Sequence, residues 1–163
     1  EAVESRITFA KNIWNGEIKK IGYLTPKSLI INKNEDYDIE EILSKLKLPI
    51  FIKPNAGGSS FGISRVDDKK NIINSINFCF KEDDNALIEE EISGREISVG
   101  VIKYKNEIIS LPPTEIISHN SFFDYDAKYN GESDEITPAD ITIEEEKEVR
   151  KISLDIYLSL IHI

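Results

Sequence analysis

The run Leu48-Pro49-Ile50-Phe51-Ile52-Lys53-Pro54 delivers one lysine, and Asn55-Ala56-Gly57-Gly58-Ser59-Ser60-Phe61-Gly62 places a glycine-serine loop directly behind it. Leu48 to Ile52 is short, β-rich and bounded by prolines, which predicts a buried strand; a lysine at its end is costly to bury without an anionic partner. A phosphate oxygen is such a partner. Gly57, Gly58 and Gly62 let backbone N–H groups approach an anion, while Ser59 and Ser60 add hydroxyl donors. The pattern is not a P-loop, because the lysine precedes the glycines and Ile63-Ser64-Arg65-Val66 reads as a strand instead of a helix. A glycine-rich hairpin with a surface lysine fits the same residues, so the element pattern around them has to be weighed.

The chain has 163 residues, enough for one domain with a real core or two small lobes. Hydrophobic content of 40% and charged content of 31% describe an ordinary soluble protein without a membrane-length apolar run or a secretory signal. A single cysteine, Cys79, excludes an internal disulfide framework and Cys-based zinc patterns; a cytoplasmic setting is the expectation, with Cys79 in the core. The net charge of -10 argues against nucleic acid as a partner. Much of that charge sits between Glu132 and Glu148, read as a solvated loop and an exposed helix face. Lys11, Lys53 and Lys128 remain to serve a small anion.

Apolar residues Val3, Ile7, Ala10, Trp14, Ile18 and Ile21 predict an amphipathic helix over 4–20 with one buried stripe, stopped by Gly22. A strand over 27–31, a helix over 38–46 and the strand ending at Lys53 follow. Asp67 or Asp68 caps a helix with an inner face of Ile72, Ile73, Ile76 and Phe80. Strands are expected over 86–92, 97–103, 107–111 and 115–117. A long polar, aromatic-bearing loop then runs from Ser118 to Ser133, and Thr142-Ile143-Glu144-Glu145 is a capping box for a last helix burying Val149, Ile152 and Ile156.

Five blocks in order carry a family resemblance: Ile50 to Pro54 with Gly58 to Ile63; Ala86-Leu87-Ile88-Glu89-Glu90-Glu91-Ile92-Ser93-Gly94-Arg95-Glu96-Ile97; Leu111-Pro112-Pro113-Thr114-Glu115-Ile116; Phe123-Asp124-Tyr125-Asp126-Ala127-Lys128-Tyr129; and Ile136-Thr137-Pro138-Ala139. Together they resemble D-alanine:D-alanine ligase of the ATP-grasp superfamily. The resemblance implies an α+β fold of two lobes with antiparallel sheets flanked by helices, holding ATP between them. It implies ATP and D-alanine as partners, magnesium as cofactor, an acyl-phosphate reaction for peptidoglycan precursors, and a parent compatible with a homodimer. It divides the chain into a first-lobe domain over 1–91 and an incomplete C-terminal lobe over 92–157.

By this resemblance Lys11 and Lys53 reach the ATP phosphates, with Ala10 standing where the family has an acidic residue. Ser59 orients the first substrate and Ser60 covers the phosphates; Gly57 replaces a charged residue of many relatives. Glu89 meets the adenine by its side chain, Glu90 and Ile92 by backbone groups, and Glu96 the ribose hydroxyls. An ion pair of Glu96 with Arg95 or Lys103 is the alternative for that acid. Lys128 faces the transferred phosphate, and Tyr129 closes its loop onto Ser59. His119 and His162 are expected to be non-catalytic.

The resemblance places the magnesium ligands beyond this chain, so no metal ligand is assigned within it. A start without Met and the lack of any Met suggest an internal fragment, incomplete as a catalyst alone, and Leu158-Ser159-Leu160-Ile161-His162-Ile163 reads as a non-native tail over 158–163. The competing readings are a non-catalytic nucleotide-binding module, a related ligase such as a D-alanine:D-lactate ligase, and a plain α+β structural domain.

Overall fold

In a computed structural model of the chain, residues 9–119 and 133–160 are described. They fall into two compact units, one running up to Lys19 and then over Leu24–Ser93, the other comprising Lys20–Tyr23 and the residues from Gly94 onward. The sheets of both units are antiparallel, in keeping with the α+β expectation.

The first unit is a four-stranded sheet with helices. Its elements are α1 (Lys11–Lys20), β1 (Ser28–Asn32), α2 (Ile39–Lys45), β2 (Ile50–Pro54), β3 (Ser64–Val66), a 3-10 turn (Lys69–Asn71), α3 (Ile72–Cys79) and β4 (Asn85–Glu90). The strand order is β1-β4-β2-β3. Local signals set the helix starts. Asp38 Oδ1 accepts the Glu40 N–H at 2.9 Å to cap α2, and Asp68 Oδ1 accepts the Lys70 N–H at 3.0 Å ahead of α3.

Strands place successive side chains on opposite faces, and β2 obeys this strictly. Ile50, Ile52 and Pro54 are buried on one face, while Phe51 and Lys53 are half-buried on the other. Ile50 and Ile52 join Ile42, Leu46, Val66, Ile72, Ile76, Cys79, Phe80, Ala86 and Ile88 in the core. Burial pushes the Cys79 thiol up to about 12, which makes it an inert core residue as expected and no nucleophile. Two expectations need correction here. Ile73 is 52% exposed, because a narrow stripe of Ile72, Ile76 and Cys79 already fills the contact with the sheet. Trp14 and Ile18 on α1 are only half-buried, and α1 fully buries none of its residues; Val3 and Ile7 of the expected stripe lie outside the described residues.

The second unit holds β5 (Glu96–Ser98), β6 (Val101–Tyr104), β7 (Glu107–Ser110), β8 (Thr114–Ser118), β9 (Ser133–Ile136) and α4 (Ile143–Leu160), arranged as a β5-β8-β9 sheet and a β6-β7 hairpin. The strand expected over 97–103 is two strands. The chain switches sheets at Gly100, whose carbonyl accepts the Leu111 N–H at 2.7 Å and whose missing side chain leaves room for Leu111. The acidic Ser133–Ile136 segment was expected to be loop and is strand β9, recruited by the edge of β8. The capping box forms as expected, with Thr142 Oγ1 accepting the Glu145 N–H at 3.2 Å and Glu145 Oε2 accepting the Thr142 N–H at 2.7 Å. Val149, Ile152 and Ile156 on α4 are half-buried and not fully enclosed.

Candidate nucleotide site

The antiparallel register of β2 against β4 explains how a lysine and a carboxylate meet. Lys53 lies opposite Leu87 and Phe51 opposite Glu89, so Lys53 and Glu89 are diagonal neighbours on one face, within reach of long side chains. They form an ion pair between the Lys53 ammonium and Glu89 Oε2, with Glu89 only 4% exposed. The other carboxylate oxygen, Oε1, accepts a 2.6 Å hydrogen bond from Asn15 Nδ2 on α1.

Lys11 joins the same corner from the start of α1. Its backbone N–H donates to the Asn55 carbonyl at 2.9 Å, the Asn12 N–H donates to Asn55 Oδ1 at 2.9 Å, and Ala10 bridges to Ala56. The Lys11 ammonium donates to the carbonyls of Pro54 at 2.9 Å and Gly57 at 3.1 Å. Burial, and then the neighbouring Lys53 charge, hold Lys11 below the ordinary lysine value. Lys11 and Lys53 converge at one strand end; Glu89 pairs with Lys53, Asp83 and Glu89 both act on Lys11, and the Lys11 ammonium itself rests on neutral carbonyls. Two ammonium groups brought to one corner are suited to holding an anion.

The glycine-serine hairpin starts at this corner. Asp83 anchors it by accepting the Ala56 N–H at 2.6 Å and the Asn85 N–H at 3.0 Å. Ser59 and Ser60 occupy left-handed backbone at φ 53° and 59°, a conformation that costs non-glycine residues of order 1–3 kcal/mol each and is commonest where function demands it. The next segment is strand β3, as the sequence predicts.

The other proposed residues are distributed as follows. Glu90 closes β4; its N–H donates to the Lys27 carbonyl at 2.9 Å and its Oε1 accepts the Lys47 N–H at 2.8 Å. Ile92 is 67% exposed in the first unit, and Glu96 opens β5 in the second. Arg95 does not pair with Glu96. It makes a two-pronged contact with the buried Glu115, both bonds at 2.6 Å, and also donates to the Asp140 carbonyl at 2.6 Å. His119 binds Asp134 at 2.9 Å on the surface of β8 and β9. Lys128, Tyr129 and His162 lie outside the described residues. Among the described residues no three His, Cys, Asp or Glu side chains converge as a metal site, and no helix is long and apolar enough to cross a membrane.

Sequence reasoning missed Asn15, Asp83 and the Arg65–Glu91 pair. Asn15 could have been found, since it stands four residues after Lys11 and so shares its helix face. Arg65 on β3 reaches across β2 to Glu91 with bonds of 3.0 and 2.7 Å, and this holds the Glu91 carboxyl below its ordinary value of 4.5. A depressed carboxyl contributes stability that is complete above its unfolded value and drains as pH falls through the lower folded one. Urea unfolding of the chain should therefore show a midpoint that declines below about pH 4.5, and Glu91→Gln should flatten part of that decline while lowering the plateau at pH 7. An unchanged acid limb in the variant would show that the pair contributes nothing.

Comparison with known proteins speaks to the family of the chain. A family profile described as D-ala D-ala ligase C-terminus matches residues 17–162. A D-alanine:D-alanine ligase of Christiangramia forsetii is 43% identical over 96% of this chain and 48% of its own length, and one of Flavobacterium johnsoniae is 48% identical over 86% and 44%. Among solved structures, VanG D-Ala:D-Ser ligase from Enterococcus faecalis superposes with a TM-score of 0.85 at 33% identity, covering 96% of this chain and 46% of that one. The D-alanine:D-alanine ligase of Bacillus anthracis gives 0.78 at 34%, covering 96% and 50%. The chain spans about half the length of the curated relatives it matches. With an ATP-grasp fold and a profile match over nearly its whole length, the chain belongs to the D-alanine:D-alanine ligase family.

Proposed function

We propose that this chain is the nucleotide-binding part of a cytoplasmic enzyme that joins two D-alanines at the expense of ATP, supplying a peptidoglycan precursor. The observation that carries this is the convergence of Lys11, Lys53 and Glu89 at the root of the glycine-serine hairpin, in a chain of this family. In that reaction a carboxylate oxygen of the first D-alanine attacks the γ-phosphorus and ADP leaves; the amine of the second attacks the acyl carbon and expels inorganic phosphate. Both steps depend on positioning and charge neutralisation more than on covalent help from the protein.

In this reading a central lobe spans residues 1–91 and a partial C-terminal lobe residues 92–157. Lys11 and Lys53 take phosphate oxygens, Ser60 and hairpin N–H groups cover them, and Ser59 orients the first D-alanine. Glu89, Glu90 and Ile92 meet the adenine and Glu96 the ribose. Lys128 and Tyr129 face the transferred phosphate and the hairpin. Magnesium would screen the phosphate charge, but the described residues offer no cluster to hold it, so no step is assigned through it.

The test is a product assay on a protein of the relatives' full length, with ATP, magnesium and D-alanine alone or with D-serine or D-lactate as acceptor. D-alanyl-D-alanine with one ADP released per dipeptide is expected. ADP release only with D-serine or D-lactate would assign a related ligase, as the D-Ala:D-Ser neighbour illustrates. Nucleotide binding without turnover for any acceptor would favour a non-catalytic module.

A further inference from the structure

The ion pair between Lys53 and Glu89 leaves open what fixes the carboxylate itself. Glu89 is 4% exposed and sits at the end of β4, opposite the uncharged Ser28 on β1 and Phe51 on β2. A carboxylate on a short side chain can rotate about its last bond, and the lysine it holds would swing with it. Here one oxygen faces the Lys53 ammonium while the other takes the amide hydrogen of Asn15 at 2.6 Å. The amide orientation is set by chemistry, since an ionised carboxylate only accepts. Asn15 is carried one helical turn after Lys11, whose own position is bolted to β2 through the Asn55 and Pro54 carbonyls.

We propose that Asn15 is a positioning residue for nucleotide binding: it locks the plane of the Glu89 carboxylate, and through it the Lys53 ammonium, in register with Lys11. This rests on reading the corner as a nucleotide site. Asn15 need not touch the nucleotide. An amide suits the position better than a charged group of either sign. A lysine there would add a third cation beside Lys11 and Lys53, and a carboxylate would repel Glu89. The charged groups that act on Lys11, one helical turn from Asn15, include Lys53 on β2, Asp83 in the turn before β4 and Glu89 on β4.

Titration of the chain with ATP by calorimetry, at pH 8 and pH 5.5, tests this, each variant being compared with the wild type at the same pH. Asn15→Leu keeps the shape and removes the donor, and should weaken ATP about three- to tenfold at both pH values. Asn15→Asp should weaken it at least about tenfold at pH 8, where two carboxylates face each other, and recover to within about threefold at pH 5.5, where a shared proton restores the donor. The aspartate variant is its own folding control, because one protein is compared at two pH values. Asn15→Leu within twofold of the wild type, or an aspartate variant whose deficit does not change with pH, would overturn the proposal while Lys53→Met still lost affinity. Were Lys53→Met also to bind ATP like the wild type, the nucleotide reading itself would fall.

Discussion

Replacing Lys53 with methionine is expected to weaken ATP binding by roughly 10- to 100-fold, the worth of one charge-assisted contact to phosphate. The same substitution should also destabilise the first unit, for a separate reason. Glu89 would keep its burial and its bond from Asn15 but lose its counter-charge. Removing one partner of a fully buried pair costs about 3–5 kcal/mol, and the partial exposure of the Lys53 side chain, 23%, brings the expectation to about 2–3 kcal/mol. The two effects can be pulled apart. In Lys53→Met/Glu89→Leu both charges are gone, and replacing a buried pair with apolar groups is often close to neutral, so urea stability should recover most of the loss. ATP affinity should not recover, because no ammonium has returned. A double variant that regained affinity along with stability would show that Lys53 acts only as a strut for the sheet.

That separation explains which parts of the site were legible in the sequence. Lys53 and the hairpin could be read because their signals are local: an apolar run sets the strand, and glycines beside serines set the turn. The Asp68 cap ahead of α3 and the Thr142 capping box were legible for the same reason. What pairs with Lys53 was not, because it depends on the register of β2 against β4, strands separated by α3 in sequence. Glu89 could be singled out by resemblance, yet the ion pair and the Asn15 bond follow only from the diagonal geometry of the sheet and the angle of α1 upon it. The same limit governs the errors. Helix periodicity permits Ile73 in the core, but Ile72, Ile76 and Cys79 are the residues α3 buries and Ile73 is left exposed. Ser133–Ile136 has acidic residues that disfavour a strand, and it is one because the edge of β8 supplies partners for its backbone. Chain adjacency offers Arg95 to Glu96; Arg95 lies just ahead of β5, in which Ile97 is opposite Glu115, and the guanidinium finds that buried carboxylate instead.

Gly62→Val should be the most damaging single change in the hairpin. Gly62 has φ +70°, which is strained for any residue with a Cβ and a true outlier for a β-branched one. Space is lacking as well: a Cβ there would lie 2.8 Å from Glu82 Cγ and 2.9 Å from Pro54 Cγ. The Glu82 chain can turn aside. Pro54 cannot, because its ring is buried at the end of β2, one residue from Lys53. The backbone strain of about 1–2 kcal/mol and an overpacking cost of about 1–3 kcal/mol together predict a loss of about 2–5 kcal/mol. Gly58 supplies the control. A Cβ at that position meets nothing within 4 Å, so Gly58→Ala should change stability by no more than about 0.5 kcal/mol. Relief of the clash by pushing Pro54 would also displace Lys53 and the carbonyl that Lys11 holds, so Gly62→Val should weaken ATP even at temperatures where the chain is fully folded. Urea unfolding and ATP titration on the three proteins decide the matter. A wild-type urea midpoint for Gly62→Val would mean that the hairpin adopts another path, and that the left-handed backbone at Gly62 does not fix its course.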